Sequence, residues 1–182
     1  VIIDAGHGGE DGGATVNGIS ESEINLKIAL KLQKLLEQTG ITVVLTRSTD
    51  EAIYDENNSS SLRNKKVSDL KNRVKIGNES SADLFVSIHL NKIPQEQYDG
   101  WQTFYRENDE KSKEIAESIQ RNLNEAIQKE NKRIAKVIKD IYIVENVQIP
   151  ITIVECGFLS NYNELQNLQD DTYQEKLAWG IY

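Results

Sequence analysis

Apolar runs rich in β-branched residues alternate along this chain with segments of helical period, and this alternation restricts the fold more than any other feature. Val1 to Asp4, Ile41 to Thr46, Leu84 to Leu90, Trp101 to Tyr105, Ile141 to Val144 and Ile151 to Val154 read as strands. Between them Ile24, Ile28, Leu32 and Leu35, and again Ile115, Ile119, Leu123 and Ala126, follow a 3.6-residue period. Runs such as ITVVLT and LFVSI are apolar on both faces, as strands covered by helices on each side must be. The expected fold is α/β: a single-domain three-layer sandwich over residues 1–182, with a mainly parallel five- or six-stranded sheet and helices on both faces. Residues 50 to 66, DEAIYDENNSSSLRNKK, are polar and break the rhythm, so they read as a long loop suited to facing a substrate.

Charge and cysteine content remove several function classes. With 21 Lys and Arg against 29 Asp and Glu the net charge is -8, which repels a polyanion, and nucleic acid is not an expected partner. Cys156 is the single cysteine, so neither an intrachain disulfide nor a thiolate-rich metal site can be built. No apolar stretch approaches the roughly 20 residues of a membrane-spanning helix. Val1 already reads as strand and the closing KLAWGIY as an unfinished helix, so both ends read as trimmed, with any signal or anchor segment outside this sequence.

The chain has two histidines, and each follows an apolar strand. His7 sits in VIIDAGHGGEDGGA, among five glycines and three acids. A phosphate-binding turn is the first possibility there, but the third glycine of G-x-G-x-x-G would fall at Asp11, and Glu10 with Asp11 would oppose a pyrophosphate. His89 closes LFVSIH. In open α/β sheets the ligand crevice lies outside the carboxyl ends of the strands, so His7 and His89 can meet there although 82 positions separate them. Either histidine alone is more simply read as a residue satisfied by a local hydrogen bond. The coincidence of both points to a hydrolytic metal site with three protein ligands and one open position. With two histidines, one buried-type cysteine and no H-E-x-x-H, the third ligand must be a carboxylate.

Two carboxylates stand out. In NGISESEINL, Ser20 and Glu23 have the spacing of a capping box, which gives Glu23 a structural task and leaves Glu21, the first helical residue, free to face the crevice. Glu21 is the preferred ligand and Glu23 the alternative. In IPITIVECGFLSN, Glu155 follows an apolar strand, where an unpaired carboxylate is costly unless a cation or an arginine such as Arg47 or Arg73 lies near. A carboxylate beside a metal site can take a proton from water and return it to a leaving nitrogen. Cys156 next to it suggests a thiol nucleophile, but a lone cysteine in an apolar strand is more often a small buried hydrophobe.

Together DAGHGGEDGGA, GISESEINL, VLTRSTD, DLKNRVKIGN, FVSIHLN and PITIVECGFLSN resemble, in order and over the whole chain, the zinc-dependent N-acetylmuramoyl-L-alanine amidases of the type 3 family. The resemblance implies Zn2+ on His7, Glu21 and His89, and Glu155 as the catalytic acid–base. Arg73, Arg47 and Asn91 are candidates for substrate binding or site support. It further implies hydrolysis of the amide between N-acetylmuramic acid and L-alanine, with peptidoglycan glycan strands and stem peptides as partners. An activator protein is a further candidate partner, and the implied location is extracytoplasmic, in the cell wall or spore intermembrane space. Within the family the likeness is greatest to the germination-specific enzymes that act on spore cortex. Ala5, Ser22 and Cys156 depart from the residues usual at those positions, without removing a ligand. The competing readings are a zinc peptidase or carbohydrate deacetylase of the cell wall, and a non-catalytic cell-wall binding module.

Overall fold

The computed structural model describes residues 1–55, 57 and 61–182. A six-stranded sheet holds β1 (Ile2–Ala5), β4 (Val44–Leu45), β5 (Phe85–Asn91), β6 (Gln102–Arg106), β7 (Lys136–Ile138) and β8 (Ile151–Phe158), in the order β4-β1-β5-β8-β6-β7. Four of the five pairings are parallel, and only β6 runs antiparallel to β8. A separate hairpin joins β2 (Thr15–Val16) to β3 (Ile19–Ser20). The helices are α1 (Glu21–Gln38), α2 (Leu62–Glu79), α3 (Glu110–Ile127), α4 (Tyr142–Asn146), α5 (Tyr162–Gln169) and α6 (Asp171–Ile181). No helix among the described residues is long and apolar enough to cross a membrane.

Side-chain alternation along the strands splits the core into the two halves of a sandwich. Ile3, Ala5, Val86, Ile88, Val154 and Cys156 pack with Ile24, Ile28 and Leu32 of α1, Ile119 and Leu123 of α3, and Leu177 of α6. Their strand neighbours Ile2, Phe85, Ile151 and Ile153 face the other way and pack with Ile143 and Val144 of α4. Toward the carboxyl ends of the parallel strands this second face turns polar: Asp4 is paired in register with Ser87, and His89 with Glu155. The functional crevice therefore opens where the apolar face stops.

The expected three-layer sandwich is the observed architecture, with local differences, and Ile41 to Thr46, expected as a strand covered on both faces, is strand only at Val44–Leu45 on the exposed sheet edge. Ile141 to Val144, expected as a strand, lies at the start of α4, because Ile143, Val144 and Val147 reach the core together only at helical spacing. The sixth strand is instead β7, a short edge strand whose Lys136 and Val137 are exposed and carry little apolar signal. Residues 62 to 66, expected as loop, form the first turn of α2, where the Ser61 side chain caps Asn64 N. Residues 56 and 58 to 60 of that expected loop lie outside the described residues.

Candidate metal centre

The turn after β1 is shaped around a ring. His7 takes a left-handed backbone, φ 62°, and the glycines around it leave room that a side chain would fill. A Cβ on Gly6 would stand 2.3 Å from the His89 ring, and one on Gly13, itself at φ 66°, would stand 2.6 Å from Glu21 Oε2. Two arginines fasten the turn from below. Arg73 donates to Ala5 O at 2.8 Å and His7 O at 2.7 Å, and Arg47 to Ala5 O at 2.9 Å, Gly6 O at 3.2 Å and Ser22 O at 2.7 Å.

The β2–β3 hairpin then returns the chain to deliver Glu21. Asn17 and Gly18 both have positive φ, the requirement of a tight two-residue hairpin turn. Ser20 ends β3 and caps α1 through Glu23 N at 3.4 Å. Only this half of the capping box forms, since the Glu23 carboxylate turns outward to Lys27 at 2.7 Å. Glu21 turns inward and is 4% exposed.

His7, Glu21 and His89 offer ligand atoms that all lie within 4.8 Å of one another. Glu21 Oε1 is 3.0 Å from His89 Nδ1 and 3.4 Å from His7 Nε2, and the two rings meet edge to face at 5.1 Å. Leu90 N at 3.0 Å and Ala14 N at 2.9 Å orient the Glu21 carboxylate. Burial works against its charge, but hydrogen bonds and attraction from both histidines hold the carboxyl well below the usual range. Burial likewise opposes a charged His7, yet hydrogen bonds that the ring donates to Asp11 and Glu21 raise the imidazole to about 9. Two imidazoles and a carboxylate converging at this spacing form a donor set that suits a divalent ion of zinc type.

Asp11 is a residue that the sequence reading considered only as a source of repulsion. Its Oδ2 lies 2.9 Å from His7 Nδ1, while Oδ1 is held by Gly13 N at 3.3 Å and Lys66 at 3.1 Å. The arrangement fixes the ring so that Nε2 faces Glu21 and His89. The acids Glu10 and Asp11 in the glycine-rich run directly after His7 were the available signal.

Glu155 stands beside His89 across the β5–β8 ladder. Its Oε2 is buried and has no hydrogen-bond partner among the described residues. Burial is the main cause that lifts its carboxyl to about 7, with Glu21 adding to the rise and the histidines opposing it. Neither arginine named for it is its partner: Arg73 pairs with Asp4 and Asp69, and Arg47 is spent on backbone carbonyls. Both are at most 2% exposed and hydrogen-bond to the backbone of the His7 turn. Asn91 ends β5, where its carbonyl accepts from Leu159 N at 2.8 Å. Cys156 points to the opposite face, fully buried, and burial pushes its thiol up.

Comparison with known proteins matches the same span. The Amidase_3 family profile, N-acetylmuramoyl-L-alanine amidase, matches residues 1–182. A germination-specific N-acetylmuramoyl-L-alanine amidase of Bacillus subtilis is 38% identical over 186 residues, covering 100% of this chain and 76% of that protein. The CwlD amidase from Clostridioides difficile, solved in complex with the GerS lipoprotein, superposes with a TM-score of 0.96 at 48% identity, covering 100% of this chain and 93% of that one. An N-acetylmuramoyl-L-alanine amidase from Clostridium difficile 630 gives 0.85 at 33% identity, covering 99% of this chain and 90% of that one.

Proposed function

The chain belongs to the N-acetylmuramoyl-L-alanine amidase family and hydrolyses that amide in peptidoglycan, and from this premise we propose that it works through zinc held by His7, Glu21 and His89, with Glu155 as acid–base. The observation that carries the reading is the convergence of three ligand atoms within 4.8 Å beside a carboxylate oxygen that has no hydrogen-bond partner among the described residues. Zinc at that position supplies Lewis-acid activation of the scissile carbonyl and of water.

The remaining work falls to the chain. Glu155 takes the proton of the attacking water as the new C–O bond forms at the lactyl carbonyl. The same carboxyl then gives that proton to the alanine nitrogen as the C–N bond breaks, leaving a muramic acid carboxyl and a free stem-peptide amine. Its buried place beside His89, with Oε2 unpartnered among the described residues, leaves the carboxyl free to accept and return that proton. Asp11 keeps His7 in the ligating orientation, and Arg73 and Arg47 keep its backbone in place.

The germination-specific relative supports action on spore cortex, outside the cytoplasmic membrane. The lipoprotein bound to the CwlD amidase supports a protein partner of that kind for this chain, testable by co-purification. Mass analysis of digested peptidoglycan tests the reaction: stem peptides with a free L-alanine amine are expected. Shortened peptides would favour a peptidase and loss of acetyl groups a deacetylase.

Metal analysis should find one zinc per chain and none in His7→Ala or His89→Ala. Full zinc in both variants would remove the site. Glu21→Ala should lose zinc and activity together. Glu23→Ala should keep both and cost only about 0.3–0.5 kcal/mol, the scale of its exposed pair with Lys27. The opposite pattern on zinc titration and thermal melting would move the ligand. Asp11→Ala should weaken zinc binding about 10- to 100-fold without abolishing it, because an orienting partner is lost and no ligand is; an unchanged affinity in a chelator competition would refute the orienting role.

A further inference from the structure

A second groove opens beside Glu155, on the side away from His7. It exists because β6 reverses direction, so that its first residue, Gln102, pairs in register with Glu155. Residues opposite each other in an antiparallel pair share a face. Gln102 thus extends the row of His89 and Glu155 outward by one strand, and the segment leading into β7 overhangs it. Tyr98, Gln102, Asn131, Arg133 and Lys136 line this groove, whose volume is about 590 Å³.

Arg133 is the charged centre of the groove and is held in place. Its guanidinium lies 4.7 Å from the Phe158 ring centre and 5.9 Å from that of Tyr98. Its Nη1 donates to Gln102 Oε1 at 3.3 Å and its Nε to Asp99 O at 3.1 Å. Both acceptors are uncharged, and among the described residues the guanidinium forms no ion pair. Two acids also line the groove, each paired with a lysine, Asp99 with Lys129 and Glu130 with Lys132. By contrast Lys65 and Lys66, on the His7 side, are already paired with Glu10 and Asp11. In a chain of net charge -8, a partly exposed arginine fixed by rings and neutral oxygens, with no ion pair among the described residues, is suited to meet an acid from outside.

We propose that Arg133 is a specificity residue that binds the free α-carboxylate of the second stem-peptide residue. The proposal rests on the amidase reading above. In the substrate, that residue is a D-glutamate linked through its side chain, and its α-carboxylate lies roughly 6 Å from the scissile nitrogen by standard bond lengths. The groove lies one to two strand spacings from Glu155, roughly 5–10 Å. With the scissile nitrogen at Glu155, the carboxylate falls within reach of the guanidinium, and Gln102 holds the arginine at that distance.

The test compares two defined muropeptides that differ only in this group, one with the free carboxylate and one with its amide. Wild type should cleave the acid with a kcat/KM about 10- to 100-fold higher, mainly through KM, the scale of a charge-assisted hydrogen bond. Arg133→Gln should bring the two substrates to the same efficiency, and Arg133→Lys should keep part of the preference. A wild type without preference, or a preference that survives in Arg133→Gln, overturns the proposal. An equal fall on both substrates in both variants also overturns it and leaves Arg133 a purely structural role. Binding of the released dipeptide, followed by chemical shifts, reads the subsite without turnover: loss of the acid's binding in Arg133→Gln is expected even if wild type cleaves neither muropeptide, an outcome that would fall on the amidase reading instead.

Discussion

Glu155→Gln should lower turnover by about 10²- to 10⁴-fold, the usual contribution of a positioned acid–base group, while zinc content and melting temperature hold. The amide keeps the size of the carboxyl and can occupy the same place beside His89, but it cannot accept the water's proton. Since Oε2 has no hydrogen-bond partner among the described residues, the substitution breaks no bond to them at that atom. Stability should therefore separate from activity in this variant. Cys156→Ala is the companion control and should remain active, because the thiol lies on the far face of β8 among apolar side chains. Comparable losses in the two variants, measured on the same peptidoglycan digest, would return the thiol to the chemistry.

Arg73→Met should produce the largest loss of stability, about 3–5 kcal/mol, because it leaves buried Asp4 and Asp69 without their shared cation. For a chain of this size that is a fall of roughly 6–20 °C in Tm. The pH dependence gives a second check. Burial would raise the Asp4 carboxyl, but Arg73, with the Ser87, His89 and Thr46 contributions, outweighs it and holds the group below its ordinary 3.8. A lowered carboxyl stabilises the fold above its ordinary value and loses that contribution as pH falls through the lowered one. In Arg73→Met the buried Asp4 gains from protonation instead. The stability gap between the two proteins should narrow as pH falls from the raised value of the Asp4 carboxyl in the variant, through its ordinary 3.8, to the lowered value in the wild type, and a gap constant with pH would dissociate Asp4 from the effect.

The parts of the site that could be read in the sequence are those tied to strand ends. Parallel strands place their carboxyl termini at one edge, so a histidine after β1 and another near the end of β5 meet whatever the intervening chain does. Glu21 was legible because a capped helix start fixes which way its first residue turns. The half-formed capping box shows the limit: spacing reveals the Ser20 cap, while Glu23 chooses Lys27 for reasons of local reach. The Asn17–Gly18 turn carried a hairpin signal that short strands of two residues made easy to pass over. Ile141 to Val144 misled because β-branched residues were weighed above their spacing to Val147. The Arg133 groove was beyond reach, since it depends on β6 running against β8, and nothing in QTFYR states a direction.

The place of β8 has a temporal consequence. It pairs with β5 on one side and β6 on the other, so the sheet stays in two pieces until residues 151 to 158 enter the gap between them. His7, Glu21 and His89 all precede that event in chain order, and the β1–β5 pairing that brings the two histidines together does not require it. Closing the centre of a sheet with its last strand is a long-range step of the kind that slows folding. In refolding followed from denaturant, metal capture should therefore run ahead of recovered hydrolysis, with the lag between them measuring the insertion of the strand that carries Glu155.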